Sequence, residues 1–435
     1  MARAMKDSGI EWIGEIPEGW ESKRLKYIVS YNDESLGEDT DPDYEFDYID
    51  IGSVEYGKGI TQYQHMRFAD SPSRARRVVR DKDVILSTVR TYLKAVATID
   101  DRDNPQIAST GFIVLRAKKG QITPDYLHYS VLSNAFVSLV EAKSTGISYP
   151  AINASDVVEI KIPVPPIIEQ RRIADYLNSE CARIDAVIEQ TRASIEEYKK
   201  LKQSLITQAV TKGIRPGRKM KDSGVEWIGE IPEEWTCEKF KYIAMVKSNL
   251  VQPDDYLDYP QVSPENIEKG SGKLLPCRTV REVGVISGNH LFFKGQVLYS
   301  KIRPKLNKVT IAPFDGLCSA DMYPIETKIN TEFFVYELRA DSFLSQISLI
   351  TEDRVKMPKI NQDELGNIPF AVPPGEEQEE IVSFLNEKCV SFDRIIGKKE
   401  LLITDLESYK KSLIFEYVTG KKEVFNGHGF KRKSS

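Results

Sequence analysis

Basic side chains are concentrated in two windows of this 435-residue sequence. The formal net charge of the whole chain is −5, which by itself argues against a nucleic-acid partner. Between Lys58 and Lys94, however, nine basic residues occur with only three acidic ones, and between Lys273 and Lys308 eight occur with one. Clustered lysine and arginine side chains bind phosphate groups and can donate hydrogen bonds to base edges. The charge distribution therefore predicts two basic surfaces on an otherwise acidic protein.

The side chains best suited to such contacts are arginines and lysines in loops in and around these windows, with one tyrosine among them and a serine and a tyrosine in the loop before the closing strand of the first half. In the first half of the chain the candidates are Arg74, Arg76, Arg77, Arg90, Tyr92, Lys94, Ser148 and Tyr149. In the second half they are Lys301, Arg303, Lys305, Lys308, Arg354 and Lys356. For any single residue the alternative is an ordinary solvated charge. The two groups carry more weight together, because they fall at matching places in two copies of a repeat.

Residue patterns for catalysis are missing. The four histidines are isolated and form no HExxH pair, and the sequence has no GxxxxGK[ST] phosphate loop. The segment Asn367-Ile368-Pro369-Phe370 is faintly like the NPPF motif of adenine methyltransferases, but it lacks the first proline and no glycine-rich strand-turn-helix precedes it. We interpret it as a strand equivalent to Glu159–Val164 in the other half of the chain. No enzyme activity and no cofactor are expected from this chain alone.

The five cysteines are scattered, with no CxxC pair. This spacing argues against a disulfide framework and against a structural zinc site. Cys181 and Cys389 lie on predicted helix seams, where a free thiol usually acts as a small core residue. We therefore expect no bound metal.

A long internal repeat organises the chain. The segment MKDSGIEWIGEIPEGWESKRLKYI (5–28) recurs 215 residues later as MKDSGVEWIGEIPEEWTCEKFKYI (220–243), and we call each copy an arm. Short β-branched runs between turn residues follow each arm, among them DVILSTVR (83–90) and QVLYSKIR (296–303). The repeat predicts one α+β globular domain per half. The tryptophans are expected to pack the arms rather than to stack on bases; they are Trp12, Trp20, Trp227 and Trp235.

A long helix is predicted after each globular half, at 165–213 and again 208 residues later. Apolar residues spaced by three and four form a heptad seam, so each helix needs a partner, and at ~1.5 Å per residue each is roughly 65 Å long. The seam positions are Leu177, Cys181, Ile184, Ile188, Ile195, Tyr198, Leu385, Cys389, Phe392, Ile396, Leu406 and Leu413. In the second helix the apolar pattern is interrupted near Lys399 and resumes with Leu402, Leu406 and Tyr409. A single surface helix is the alternative for the first stretch, but the second copy supplies a partner, and we predict an antiparallel pair.

These elements divide the sequence into six segments. They are the first arm and globular domain (1–164), the first long helix (165–212), a linker (213–219), the second arm and globular domain (220–372), the second long helix (373–420) and a tail (421–435). The final NGHGFKRKSS offers nothing to bury and is expected to be disordered. No apolar run is long enough for a membrane span, and the first residues are unlike a signal peptide, so a cytoplasmic protein is expected.

The duplicated order of these motifs resembles the specificity (S) subunits of type I restriction-modification enzymes. The residues that carry the resemblance are the IPxxW arms (16–20 and 231–235), the boundary IPVPPxxEQ (162–170) with its second copy AVPPGEEQ (371–378), and the helices that follow them. The strand signals DVILSTVR and QVLYSKIR are also similar to the recognition domains of that family. The resemblance extends over residues 5–420, almost the whole chain.

The resemblance implies two pseudo-symmetric target recognition domains joined by two long antiparallel coiled-coil helices. Each domain would read one half of a bipartite, asymmetric sequence in double-stranded DNA. The helices would set the spacer between the halves and dock two adenine-methylating M subunits, and R subunits with ATP-driven translocation and cleavage would join that complex. Two alternatives stay open: a self-contained DNA methyltransferase or nuclease, and a coiled-coil scaffold that binds only proteins.

Overall fold

The computed structural model describes residues 3–354 and 356–424, which fold into two repeats of mixed strands and helices. The segment NGHGFKRKSS, predicted to be disordered, lies outside the described residues. Residue contacts divide the chain into two compact units. The first unit extends to Gln190 and resumes at Leu402, and the second is Thr191–Leu401. Each unit therefore contains one globular repeat and segments of both long helices.

Two four-stranded sheets form the centre of the first repeat. Its strands are β1 (Met5–Asp7), β2 (Glu15–Pro17), β3 (Glu21–Arg24), β4 (Val29–Tyr31), β5 (Glu45–Ile49), β6 (Val54–Glu55), β7 (Gly59–Ile60), β8 (Gln64–Arg67), β9 (Ala75–Val79), β10 (Val84–Ser87), β11 (Val96–Thr98), β12 (Gln106–Ser109), β13 (Phe112–Ala117) and β14 (Lys161–Val164). Its helices are α1 (Leu25–Ile28), α2 (Pro124–Leu132), α3 (Asn134–Lys143) and α4 (Ala154–Val158), followed by the long α5 (Ile167–Lys212). One sheet has the antiparallel order β11-β10-β13-β4, and the other has the order β8-β5-β12-β9 with β5 and β12 parallel.

The second repeat has the same plan in one sheet, while its other sheet differs in the edge strands. Its strands are β15 (Met220–Asp222), β16 (Glu230–Pro232), β17 (Thr236–Lys239), β18 (Ala244–Val246), β19 (Leu250–Val251), β20 (Gln261–Val262), β21 (Asn289–Phe292), β22 (Val297–Ser300), β23 (Val309–Ile311), β24 (Gly316–Cys318), β25 (Met322–Thr327) and β26 (Pro369–Val372). Its helices are α6 (Phe240–Ile243), α7 (Val280–Val283), α8 (Thr331–Arg339), α9 (Asp341–Ile350) and α10 (Gln362–Gly366), followed by the long α11 (Gly375–Val418). The sheet orders are β18-β25-β22-β23 and β19-β21-β24-β20, with β20 and β24 parallel. The predicted α+β class with two repeated domains is confirmed.

Strands β10 and β22 are equivalent, and each lies inside its sheet with antiparallel neighbours on both sides. All four residues of each strand are buried, as expected for short β-branched and aliphatic runs. The interpretation of the NIPF segment as structural is confirmed, because Pro369–Val372 is strand β26, which pairs with β17. Its Phe370 is 1% exposed and packs against Phe240 and Phe334.

Within each unit the segments of α5 and α11 run antiparallel. In the first unit the Tyr176 and Tyr417 ring centroids are 4.6 Å apart, and Lys410 Nζ lies 2.6 Å from Asp185 Oδ2. In the second unit Lys202 Nζ lies 2.7 Å from Asp393 Oδ1. The two ion pairs are equivalent, since Asp185 and Asp393, like Lys202 and Lys410, are separated by the 208 residues of the helix repeat. Most of the predicted seam residues are buried: Leu177, Cys181, Ile184, Ile188, Ile195, Leu385, Cys389, Ile396 and Leu413. Tyr198, Phe392 and Leu406 are half-buried.

The predicted interruption of the α11 seam is wrong. Leu402 and Tyr409 are 44% and 47% exposed, whereas Ile403, Leu406, Leu413 and Tyr417 belong to the core of the first unit. The inward positions continue through α11 with unbroken heptad spacing, and two of them are lysines. Lys399 Nζ lies 5.6 Å from the Tyr198 ring centroid, and Lys410 forms the ion pair with Asp185. A search for apolar residues misses such positions, because a lysine stem packs in the seam while its ammonium group finds a partner.

Each arm is anchored at the start of a long helix. Trp20 and Trp235 are fully buried, and each indole N–H donates a 3.0 Å hydrogen bond to a glutamate in the first turn of the helix, Glu169 Oε2 and Glu377 Oε2 respectively. The expected packing role of these two tryptophans is confirmed, while Trp227 is 36% exposed. None of the helices in the described part of the chain combines the length and the apolar character that a membrane crossing requires.

Buried polar groups repeat the same pattern beside the arms. The side-chain amide of Gln170 donates to the carbonyl oxygen of Pro165, and that of Gln378 donates to Pro373, both at 2.8 Å. On the facing helices, the Tyr129 hydroxyl donates to Asn178 Oδ1 at 2.8 Å, and the Tyr336 hydroxyl donates to Asn386 Oδ1 at 2.7 Å. These contacts satisfy groups that would be costly to bury unpaired. They explain why the same residues occur at the start of both long helices.

Candidate nucleic-acid interface

A tight turn with unusual backbone geometry follows the equivalent strands β10 and β22. In the first repeat Arg90 (φ 51°, ψ 48°) and Lys94 (φ 51°, ψ 34°) are left-handed and flank a 3₁₀ turn at Thr91–Leu93. In the second repeat Arg303 (φ 43°, ψ 52°) and Asn307 (φ 50°, ψ 55°) flank the 3₁₀ turn of residues 304–306 in the same way. Among the described residues, six non-glycine residues have positive φ, and four of them are in these two turns. We call the segments 88–94 and 301–307 the arginine turns.

A loop from elsewhere in each repeat supports the arginine turn. Val89 forms an antiparallel bridge with Ala151, and Ile302 forms one with Lys359. The Arg303 N–H donates to the Pro358 carbonyl oxygen at 2.8 Å. The predicted residues Ser148 and Tyr149 lie on the supporting loop of the first repeat, and Lys356 lies on that of the second. All three are exposed. The structure thus brings together, within each repeat, candidates that are more than fifty residues apart in sequence.

A groove of about 550 Å³ opens beside the first arginine turn. Arg74, Arg90 and Tyr149 line it, and the guanidinium carbon of Arg90 lies 5.0 Å from the Tyr149 ring centroid. Its floor includes Gly111, where an added Cβ atom would lie 2.5 Å from Ile51 Cδ1. A larger residue at Gly111 would therefore displace the groove wall. The rings of Tyr92 and Tyr149 are exposed (48% and 65%), and that of Tyr149 lies beside the guanidinium group of Arg90. A flat ring beside a guanidinium group suits a planar, polar ligand.

The candidate cations differ in whether the protein already neutralises them. No ion-pair partner for Arg74, Arg90, Arg303, Lys305 or Lys356 occurs among residues 3–354 and 356–424. By contrast, Lys94 pairs with Glu141 at 3.3 Å, Arg354 pairs with Glu364, and the ammonium group of Lys308 donates to the Pro264 carbonyl oxygen at 2.6 Å. The cations without an ion-pair partner are the better candidates to bind an external anion, because no internal ion pair must be broken first.

Three further candidates are partly enclosed. Arg76 stacks on Phe68 with its guanidinium carbon 4.8 Å from the ring centroid, and it lies 3.7 Å from a Glu38 oxygen. Arg77 is half-buried, and burial lowers the pKa of its guanidinium group. Lys301 Nζ lies 5.1 Å from the Tyr323 ring centroid. These side chains contribute to the structure of the repeat itself.

Sequence reasoning missed Asn307, which is the structural equivalent of Lys94, and it missed the left-handed turns. The signal was present in the pattern S-x-[VI]-R-x-x-L-[KN], which is shared by residues 87–94 and 300–307. Glycine and asparagine adopt the left-handed conformation most readily, so Arg90 and Arg303 give no sequence signal for it. Aligning the two repeats would have found the turn but not its conformation.

Groups for other chemistry are sparse around these turns. Within the described ranges, no cluster of three or more His, Cys, Asp or Glu side chains is arranged to hold a metal ion. All five cysteines are free thiols, and burial raises the pKa of Cys181 to about 11. Such a thiol is a poor nucleophile near neutral pH.

Comparison with known proteins agrees with this architecture. The family model of the type I restriction modification DNA specificity domain matches twice, over residues 17–197 and 233–400. The type I restriction enzyme EcoDI specificity subunit of Escherichia coli is 32% identical over 319 residues, which cover 69% of this chain and 70% of that protein. A putative MjaX specificity subunit of Methanocaldococcus jannaschii is 25% identical over 95% of this chain and 96% of that protein.

Solved structures show the same fold. A chain from a structure of the assembly and conformational transition of the type I R-M system superposes with a TM-score of 0.74 at 22% identity, covering 94% of this chain and 99% of that chain. The HsdS subunit from Thermoanaerobacter tengcongensis gives a TM-score of 0.53 at 22% identity, covering 94% and 98%. Since the family model matches both repeats, the chain belongs to the specificity subunits of type I restriction-modification systems.

Proposed function

We propose that each repeat of this specificity subunit reads one half of a bipartite, asymmetric sequence in double-stranded DNA. The observation that carries the proposal is the pair of arginine turns, one per repeat, each presenting an exposed arginine without an ion-pair partner in the described chain. The reading surface comprises the turns and their supporting loops, with Arg74, Arg90, Tyr92, Ser148 and Tyr149 in the first repeat. In the second repeat Arg303, Lys305 and Lys356 correspond to Arg90, Tyr92 and Ser148, and the half-buried Lys301 lies beside them.

The remaining cations have a different part in this proposal. Arg76, Arg77, Lys94, Lys308 and Arg354 hold the reading surface in place through their internal contacts and add positive potential near phosphates. Long-range potential attracts DNA even where a side chain makes no direct contact. Binding by the isolated subunit should be weak and steeply dependent on salt.

The long helices are proposed to set the spacer between the half-sites and to dock two M subunits, with R subunits joining through that complex. The duplicated junctions support a repeated partner, since the two helix starts have matching contacts. A similar solved chain comes from a type I assembly, which favours the same partners here. On this proposal the chain itself is not catalytic, and it acts on DNA in the cytoplasm. The proposed domain boundaries remain those of the six sequence segments.

Mapping methylated adenines tests the reading function. DNA from cells that express the chain together with its M subunit should carry methyl groups in one split sequence, with two defined halves and a fixed spacer. Methylation with no bipartite preference would overturn the proposal. Assays of the purified chain alone address the enzyme alternative, because methyl transfer or cleavage without partners would require the chain to have catalytic residues of its own. Failure of the partner-bound complex to protect any DNA would instead favour the protein-only scaffold.

The spacer role has its own test. Inserting seven residues after Ile195 and seven after Ile403, its equivalent in α11, preserves both heptad patterns and lengthens each helix by about 10 Å. The half-sites should stay the same, while the spacer should grow by about three base pairs at 3.4 Å per base pair. An unchanged spacer would show that the helices serve only as a docking surface. An insertion in α5 alone is the matched control, and it should disturb assembly instead.

A further inference from the structure

We propose that Arg90 and Arg303 each read one guanine, and that the arginine turns are the shared specificity device of the two repeats. The inference rests on the proposed function and adds to it the identity of one base in each half-site. Four observations carry it: the left-handed backbone, the exposure of both arginines, the lack of an ion-pair partner in the described chain, and the retention of arginine between turns that differ at Tyr92/Lys305 and Lys94/Asn307.

No ion pair of the arginine side chains within the described residues offsets the backbone strain. A left-handed conformation is unfavourable for any residue with a Cβ atom, and glycine or asparagine would adopt it more readily. Asn307, at the other end of the second turn, follows that preference, but Arg90 and Arg303 do not. Both arginines are exposed. Apart from the Tyr149 ring beside Arg90, neither side chain has a hydrogen bond or ion pair among the described residues, which points to a role outside the fold.

The turns differ where function would allow them to differ. Between strand end and turn end, Tyr92 in the first repeat corresponds to Lys305 in the second, and Lys94 corresponds to Asn307. The arginine is the same in both. Two reading surfaces that contact different half-sites would be expected to vary in their side chains. A residue that stays the same points to a contact that both half-sites require.

Arginine is suited to one base in particular. Its planar guanidinium group can donate two parallel hydrogen bonds, and guanine offers O6 and N7 as paired acceptors in the major groove. The left-handed backbone fixes the direction in which the side chain leaves the turn. Backbone hydrogen bonds hold that geometry: the Leu93 N–H donates to the Arg90 carbonyl oxygen, and the Leu306 N–H donates to that of Arg303, both at 2.9 Å.

The two turns differ in how far the guanidinium group is held in place. In the first repeat the Tyr149 ring lies against Arg90. In the second repeat the equivalent loop position is Met357, and no ring contact to Arg303 occurs among the described residues. Arg90 is thus the more preorganised reader, and Tyr149 is a positioning residue for it.

The experiment compares adenine methylation maps of the complex with its M subunit for six forms of the chain. They are the unsubstituted chain, Arg90→Ala, Arg90→Lys, Arg303→Ala, Arg303→Lys and the control Arg74→Ala. We expect one position in one half-site to lose its preference for guanine by about tenfold or more in both Arg90 variants, while the other half-site stays unchanged. The Arg303 variants should show the converse. Lysine should not rescue, because it cannot donate the paired hydrogen bonds.

The control separates base reading from general attraction. Arg74→Ala removes the other unpaired arginine of the same groove, and it should weaken methylation without relaxing the guanine position that Arg90 reads. The intact reading of the opposite half-site shows that each variant is folded and assembled. If the unsubstituted complex reads a bipartite site and the Arg90 variants keep every base preference, or relax a position that is not a G·C pair, this inference is overturned and the proposed function stands. If the unsubstituted complex has no bipartite preference, both are overturned.

Discussion

The contacts at the start of the long helix are the same in both units. The indole of the arm tryptophan donates to a glutamate of the long helix at 3.0 Å, and a tyrosine hydroxyl of α2 or α8 donates to an asparagine of that helix. The arginine turns share a backbone conformation, one arginine and one leucine, but Tyr92 and Lys94 of the first turn are replaced by Lys305 and Asn307 in the second. The contacts at the helix junctions are thus the same in both units, whereas the side chains of the arginine turns differ. The shared junctions fit a partner common to both units, and the differing turns fit the proposal that each repeat reads its own half-site.

The largest effect should come from removing an arm tryptophan. Trp20→Ala and Trp235→Ala each empty a fully buried site and leave a glutamate without its indole partner. Each should lower the free energy of unfolding of its unit by about 3–5 kcal/mol. Urea unfolding, monitored by far-ultraviolet circular dichroism of the backbone, measures the loss. Similar losses would support equivalent junctions, and a loss in only one variant would break the comparison.

A pH effect should distinguish the two units. His128 on α2 corresponds to Val335 on α8. Burial, together with the positive charge of Lys410, lowers the pKa of His128 to about 4, so its folded form stays neutral. Below about pH 6.5 the unfolded chain binds a proton that the folded chain excludes. The stability contribution of the neutral histidine is therefore fully present above pH 6.5 and is lost as the pH drops toward 4. The expected loss over this range is about 2–3 kcal/mol.

The matched variant for this effect is His128→Val, which gives the first unit the residue of the second. Denaturant unfolding at pH 7 and pH 4.5 should show a smaller acid loss for the variant than for the unsubstituted chain. Carboxylates contribute equally to both proteins, so the difference isolates the histidine. If the variant and the unsubstituted chain lose the same unfolding free energy between pH 7 and pH 4.5, His128 is not held neutral in the folded chain.

A smaller effect should follow from the seam lysines. Lys410 has a 13% exposed side chain, pairs with Asp185 and donates to the Gly57 carbonyl oxygen at 3.2 Å, whereas Lys202 is 21% exposed and pairs with Asp393. Lys410→Ala should cost about 1–2 kcal/mol of unfolding free energy and Lys202→Ala somewhat less, because both aspartates are half-exposed and partly screened. Thermal unfolding compares them. Equal stability of both variants and the unsubstituted chain would contradict the role of the pairs.

The smallest effect tests the backbone of the arginine turns. Arg90→Gly should be more stable than Arg90→Ala by about 1 kcal/mol, because glycine adopts the left-handed conformation without a Cβ penalty. The same comparison at Arg303 should give the same sign. Thermal unfolding of the four variants measures it. Alanine variants as stable as the glycine variants would show that the turn relaxes when arginine is removed.

Much of the fold follows from patterns that the sequence states twice. The repeated arms, the strand signals that became β10 and β22, and the buried heptad positions such as Leu177 and Leu385 are readable because burial requires apolar residues at regular spacing. The course of the α11 seam through Lys399 and Lys410 was not readable in this way. Those lysines occupy inward positions only because partners, a tyrosine ring and an aspartate, lie opposite them in the folded chain.

The candidate site was predicted as a set of residues but not as a geometry. Charge counting found both windows, yet it could not separate Arg90, which is unpaired in the described chain, from Lys94, which is neutralised by Glu141. That distinction depends on α3, which is more than forty residues away from the turn in sequence. The left-handed conformation was equally hidden, since arginine has no special preference for it.

The two lysine–aspartate pairs also restrict how the helices align. Sliding α11 along α5 by one heptad would keep apolar residues opposite apolar residues, but it would separate Lys410 from Asp185 and Lys202 from Asp393 and leave both ammonium groups facing the seam. Each pair thus opposes the same slip. The helix pair therefore has one favoured register, and a length change between the pairs in only one helix would leave at most one of the two pairs able to form.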